Sequence, residues 1–221
     1  MLDGEASFQP TREVMEFAEV LFADFGRKGV YYIKRARKPE DCPHTGMPEI
    51  AMMGYSNVGK SSLIKALFHR CPNLNIQTSK TPGHTKTVDF FNVHDAFVLV
   101  DMPGYGYKQP ESFATTVGAY LNRRQNLRCA FLLFNPEQGM KEEDEVVVRK
   151  LEELQVDYAL VMTKIDLFSR SHKLRTLLEI RRLRDTFARR HCYQQPFLVS
   201  SVTGEGLGYL QAFIAHLCRK L

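Results

Sequence analysis

"GYSNVGKSSL", residues 54–63, sets two glycines around four residues and follows the second at once with lysine and serine. The stretch leaves an apolar run, "EIAMMG" (49–54), and opens an amphipathic one, which is the strand–loop–helix setting of a phosphate-binding loop. Gly54, Tyr55, Ser56, Asn57, Val58, Gly59, Lys60, Ser61 and Ser62 would wrap backbone N–H groups around the phosphates. Lys60 would sit between the β- and γ-phosphates, and the Ser61 hydroxyl would hold Mg²⁺. Such a loop selects phosphate without selecting the base. The rest of the chain has to supply that choice.

Apolar runs alternate with charged amphipathic segments from residue 48 onward. "EIAMMG", "VDFFNV" (88–93), "AFVLVD" (96–101), "CAFLLF" (129–134), "YALVMT" (158–163) and "PFLVSS" (196–201) read as six strands. The continuous apolar runs suit a parallel sheet covered on both faces. Helices are expected near 60–70, 111–126, 142–155, 170–191 and 204–219. "VDFFNVHDAFVLVD" leaves no room for a crossover helix, so it predicts an antiparallel hairpin turning at His94–Asp95. The expected architecture is a three-layer α/β/α sandwich, with a mostly parallel six-stranded sheet and one antiparallel edge strand. Residues 1–47 form a helical and basic extension, and 48–221 the main domain. In the extension, helical spacing predicts that Phe17, Val20, Leu21 and Phe25 share one side.

Three later motifs end strands, where an open α/β sheet builds its ligand crevice. In "TKID" (163–166) the Asp166 carboxylate can accept hydrogen bonds from the guanine N1–H and exocyclic amine, a pair that adenine does not offer. Thr163 and Ile165 flank it, and the stem of Lys164 can cover the base. A backbone N–H among Val199, Ser200 and Ser201 can meet the guanine O6. In "DMPG" (101–104) Asp101 would reach Mg²⁺ through water, Met102 and Pro103 would shape the turn, and the Gly104 N–H would meet the γ-phosphate. "TPGHTKT" (81–87) brings Gly83, His84, Thr85, Lys86 and Thr87 over the nucleotide, with Thr85 as second protein ligand of Mg²⁺. Two loops ordered by a triphosphate and released on hydrolysis make a switch.

With these motifs in order, the chain resembles the EngB (YihA/YsxC) family of P-loop GTPases, and within it the mitochondrial GTP-binding protein 8 group. The resemblance covers residues 48–221 and rests on "SNVGKSSLIKALF", "SKTPGHTKTVDFFNV", "DMPGYGY", "TKID" and "SSVTGEG". It implies a Ras-like G domain that binds GTP and GDP with Mg²⁺, hydrolyses GTP, and acts in assembly of the large ribosomal subunit. For bacterial relatives it also implies a link to division septation. Tyr55 stands where the family commonly has arginine, and "FNPEQG" (134–139) replaces a stretch that usually begins with aspartate. Tyr105 occupies the place where Ras-like GTPases position water with glutamine, and its phenol substitutes poorly. Slow intrinsic turnover follows, raised by a ribosomal partner or by K⁺. Asn57 matches the K⁺ ligand of potassium-activated relatives; it equally suits tight loop geometry. The groups assigned to the reacting γ-phosphate are thus Lys60, Thr85, Gly104 and Asn57.

Bulk composition limits the alternatives. The net charge is +5 over 221 residues with a mean hydropathy of −0.28, and no window approaches ~18 apolar residues, so no membrane partner is expected. Five scattered cysteines without a CxxC pair suggest reduced thiols in an intracellular compartment. That compartment would be the mitochondrial matrix in a eukaryote and the cytoplasm in a bacterium. "MLDGEASFQP" (1–10) carries neither a signal core nor an Arg/Ser-rich leader, which leaves a preceding segment open. A monomer is expected.

Residues 170–190 carry eight Lys/Arg against Glu179 and Asp185, more than the whole net charge. Arg175, Arg182 and Arg189 recur every seven residues along one helix face and are candidate contacts for the large ribosomal subunit or its rRNA. A solvated helix face explains them equally well. "RKGVYYIKRARK" (27–38) reads as an edge strand with buried tyrosines, or as a second RNA contact with stacking Tyr31 and Tyr32. Two functions remain: a GTP-hydrolysing assembly switch, or a nucleotide-stabilised scaffold with negligible turnover.

Overall fold

The structure, a computed structural model, describes residues 8–24, 29–76, 87–106, 117–122, 124–137, 139–187 and 190–218. Its elements run α1 (Arg12–Leu21), β1 (Val30–Ala36), β2 (Glu49–Gly54), α2 (Lys60–Leu67), β3 (Val88–Val93) and β4 (Phe97–Asp101). A helical stretch at 117–122 follows, then β5 (Leu127–Phe134), α3 (Glu142–Glu153), β6 (Tyr158–Met162), α4 (Arg170–Phe187), β7 (Phe197–Leu198) and α5 (Leu207–Leu217).

The sheet has seven strands in the order β1-β3-β4-β2-β5-β6-β7. The expected six are all present; the seventh is β1, drawn from the N-terminal segment. It pairs antiparallel with β3, which in turn pairs antiparallel with β4. The single antiparallel strand therefore lies one place in from the edge, and β1 runs with the parallel strands. A register shift between Tyr32 and Lys34 bends the edge strand, as bulges at sheet edges do. β1 is thus the edge strand of the two readings of 27–38, but its tyrosines are half-exposed rather than buried: Tyr31 at 49% and Tyr32 at 42%.

The hairpin turns where expected. His94 and Asp95 both have positive φ, +53° and +52°, which matches the right-handed twist of the flanking strands. The Ala96 N–H closes the turn on the Val93 carbonyl at 2.8 Å.

Two apolar layers cover the sheet. On one face α2 and α5 bury Leu63, Ile64, Leu210 and Phe213 against Ile50, Met52, Phe131 and Leu133. On the other, α3, α4 and the 117–122 stretch bury Val148, Ile180 and Tyr120 against Ala51, Val100, Leu132 and Leu160. α1 packs on α5 through Ala18, Ala212 and Ala215. The expected face of α1 is corrected here. Small side chains let the two helices approach, so Ala18 turns inward with half-buried Leu21 packed beside it, while Phe17 and Val20 stay exposed at 55% and 50%. Phe25 lies outside the described residues. Among the described residues no helix is long and apolar enough to cross a membrane.

Candidate functional site

The phosphate loop is shaped by two residues in the left-handed region. Asn57 has φ +67°, a conformation asparagine tolerates, and Gly59 has φ +105°, where a side chain would be strained. Gly59 also caps α2, whose N-terminus points its free N–H groups into the loop. Lys60 and Ser61 are the first residues of that helix. The Lys60 ammonium pairs with one oxygen of Asp101, at the end of β4, and the Ser61 hydroxyl lies 3.4 Å from the other. Burial pushes the Asp101 carboxyl above its usual range, and Lys60 opposes that rise. A hydroxyl and a carboxylate converging in this way are hard oxygen donors, a set that fits Mg²⁺.

The "DMPG" turn is fastened to the phosphate loop. Met102 N–H donates to Met52 O at 3.1 Å, and Ser56 N–H donates to Tyr105 O at 2.9 Å. Gly104 sits so close that a Cβ there would come 3.1 Å from Ser56 Oγ. Pro103 is buried in the turn. Tyr105 is 2% exposed and donates its hydroxyl to Asp144 of α3. Burial and that carboxylate raise its pKa well above the usual phenol range. The expectation that Tyr105 is a poor water-positioning group acquires a physical reason: its polar end is already engaged. Tyr55 meets Tyr105 edge to face at 6.2 Å, and the Lys141 ammonium lies 3.8 Å from its ring centre.

The base-reading loop is bolted onto the phosphate loop. Thr163 donates its hydroxyl to Val58 O at 2.7 Å, and the Lys164 ammonium donates to Asn57 O at 3.1 Å. Lys164 itself adopts φ +56°, and buried Ile165 turns the chain so that Asp166 faces solvent. Ser200, fully buried, donates its hydroxyl to Asp166 Oδ1 at 2.6 Å. Ser200 Oγ in turn accepts from Val202 N–H at 3.2 Å and Thr203 N–H at 3.0 Å. The Val199 and Ser200 N–H groups are taken by Met162 O and Glu205 O. Of the three candidates for guanine O6, this leaves Ser201. Sequence reasoning placed Ser200 beside the base but missed its role as the group that orients Asp166.

Ser62 is exposed on the first turn of α2, and Thr87 is half-buried at the foot of β3. Gly83, His84, Thr85 and Lys86 lie outside the described residues, as does Arg189. Arg175 and Arg182 are exposed on α4, whose inner side buries Thr176 and Ile180. In "FNPEQG", Asn135 is buried and takes Glu137 N–H at 3.0 Å, so this loop is held by amide chemistry where aspartate was the family expectation.

A family model described as "50S ribosome-binding GTPase" matches residues 49–164. The chain is 41% identical over 153 residues to the probable GTP-binding protein EngB of Citrifermentans bemidjiense, covering 67% of this chain and 71% of that one. It is 34% identical over 200 residues to the EngB of Thermotoga sp. strain RQ2, covering 87% and 98%. With that of Caulobacter vibrioides it shares 32% over 223 aligned positions, covering 99% and 93%. Among solved structures, a probable GTP-binding protein engB superposes with a TM-score of 0.56 at 19% identity, covering 78% of this chain and all of that one. The selenocysteine-specific elongation factor EF-Sec gives 0.58 at 20%, covering 79% and 29%. At such identities these two speak for the fold, and the sequence relatives speak for the family. The chain belongs to the EngB family of GTP-binding proteins, which are P-loop GTPases.

Proposed function

We propose that this protein is a guanine-nucleotide switch that hydrolyses GTP slowly on its own and acts in assembly of the large ribosomal subunit. The observation that supports it most is the pair of bolts from Thr163 and Lys164 to the carbonyls of Val58 and Asn57. Base recognition and phosphate binding share one rigid rim, with Asp166 on one side and Lys60 on the other. Ser61 and Thr85 would hold Mg²⁺ directly and Asp101 through water; the ion would neutralise charge on the β- and γ-phosphates. The chain's own contribution is positional: α2 presents N–H groups, Lys60 a positive charge, and Gly104 an unobstructed N–H. Fluorescent GDP should bind far more tightly than fluorescent ADP, and Asp166→Asn should move preference toward xanthine nucleotides. Equal affinity for the two purines would remove the assignment.

The ribosomal part draws on the match of residues 49–164 to a family of 50S ribosome-binding GTPases. Protein loaded with a non-hydrolysable GTP analogue should co-sediment with large ribosomal particles, and the GDP form should not. Charge reversal at Arg175, Arg182 and Arg189 should weaken that association in a salt-dependent way if the α4 stripe meets rRNA. Turnover in KCl against NaCl, in wild type and Asn57→Ala, decides whether K⁺ assists; equal rates throughout would exclude it. All five cysteines are buried thiols, which fits a reducing compartment. A nucleotide-stabilised scaffold is the second reading, favoured by the engagement of Tyr105 with Asp144. Phosphate release that ribosomal particles fail to stimulate would support it.

A further inference from the structure

Asp89 is a charged residue in a strand that is otherwise apolar apart from Asn92. It is 8% exposed, and its cross-strand partner is Asp101. Directly opposed residues of an antiparallel pair project from the same face of the sheet, so two carboxylates stand side by side where like charges destabilise. Each is answered by a different cation. Lys60 of α2 holds Asp101. Arg35 of β1 holds Asp89 through two contacts, Nε to Oδ1 at 2.9 Å and Nη2 to Oδ2 at 3.1 Å. The Tyr32 hydroxyl adds a third hydrogen bond to Oδ1 at 2.9 Å. Positive and negative groups therefore lie in register across α2, β4, β3 and the edge strand.

We propose that Asp89 and Arg35 form a charge-balancing pair that sets the Mg²⁺ affinity of the Ser61–Asp101 end of the site. This rests on the reading that Ser61 holds Mg²⁺ directly and Asp101 through water. Asp89 lies within a Debye length of that position, so its charge acts there unless Arg35 neutralises it. The arginine side chain is 39% exposed at the sheet edge and the aspartate 12%, so the balancing cation can be removed without opening the core. The N-terminal segment would thus enter the nucleotide site electrostatically, with no residue of its own touching the ligand.

The measurement is the Mg²⁺ concentration needed for half-maximal retention of fluorescent GDP at low ionic strength, with thermal unfolding in EDTA alongside. Arg35→Gln should tighten Mg²⁺ binding by about three- to tenfold, and Asp89→Asn should weaken it by a similar factor. The double variant should return to within about twofold of wild type. Arg35→Lys loses the planar fork but keeps the charge, and should also stay within about twofold. Raising salt to ~0.5 M should shrink the separation. Both single variants break the pair, so both should lower metal-free stability; stability moves one way while Mg²⁺ affinity moves two ways. Shifts of Mg²⁺ affinity in the same direction, or none beyond twofold, would overturn the proposal. Should Asp89→Asn fail to fold, Arg35→Gln decides alone: tightening supports the pair, and weakening or no change removes it. A wild type that retains GDP equally with and without Mg²⁺ would remove the Mg²⁺ reading itself, whereas a Mg²⁺-dependent wild type with parallel variants would remove only this inference.

Discussion

Two buried ion pairs sit at opposite ends of the central strands, and they are built differently. At the start of β2, Glu49 is fully buried and held on both oxygens. Arg124 donates to both its oxygens, Tyr120 donates its hydroxyl to Oε2 at 2.7 Å, and Arg124 also reaches Pro43 O at 2.8 Å. The guanidinium further lies 5.7 Å from the Phe90 ring centre and 5.6 Å from that of Tyr120. At the end of β4, among the described residues, Asp101 has Lys60 on one oxygen and a long 3.4 Å approach from Ser61 on the other. A buried pair held on both oxygens by three close donors fixes structure. One with capacity left over at the mouth of a glycine-shaped loop can exchange partners. Desolvation makes both pairs costly to break on one side, but only the second stands where the proposed nucleotide and Mg²⁺ would bring a group able to restore what is lost.

Breaking the first pair should have the largest effect. Glu49→Ala leaves Arg124 buried without its partner and should cost ~3–5 kcal/mol of stability, read by chemical denaturation. Lys60→Ala should reverse the pattern: a smaller change in unfolding, but GTP affinity lower by about 100-fold, in line with ~2–3 kcal/mol for a charge-assisted hydrogen bond. Equal losses of stability from the two substitutions would mean that the contrast between the pairs is false.

Legibility followed the same division. The phosphate loop, the strand ends and "TKID" could be read because their chemistry is local: glycine spacing, an apolar run, and a carboxylate after it. The continuous apolar strands likewise placed six of the seven sheet members. What escaped depends on distant partners. Residues 27–38, basic with two aromatics, allow two readings, and only pairing with β3, more than fifty residues away, selects the edge strand and leaves its tyrosines half-exposed. Helical spacing promoted Phe17 on hydrophobicity, whereas helix packing selected Ala18 for its size. Tyr105 and Asp144 are 39 residues apart, and Ser200 and Asp166 are 34 apart; no spacing rule announces either contact.

The Ser200–Asp166 contact gives the third, smaller effect. Ser200→Ala removes a neutral donor from a carboxylate that keeps its charge, so guanine binding should fall about fivefold, near 1 kcal/mol. Because Ser200 Oγ also caps the Val202 and Thr203 N–H groups, the loop should loosen as well, seen as faster GDP release. Unchanged GDP affinity and release would show that Asp166 is oriented by the loop backbone alone.

The smallest effect contrasts the tyrosines of two carboxylate clusters. Tyr120 is buried on Glu49, and its pKa lies well above the usual phenol range through burial first and the carboxylate second. Tyr32 is half-exposed on Asp89 and is pushed up to about 12 by the same two causes in the same order. For an acid whose folded pKa exceeds its unfolded value of ~10, stability is fully present below ~10 and is lost as pH rises through the folded value. The stability advantage of wild type over Tyr32→Phe should therefore hold steady to about pH 10 and decline from there toward about pH 12. Its advantage over Tyr120→Phe should persist to higher pH, because that phenol gives up its proton later. Parallel curves for wild type and Tyr32→Phe across this window would mean that the Tyr32 hydroxyl does not donate to Asp89. The Asp89 carboxylate would then answer to Arg35 alone.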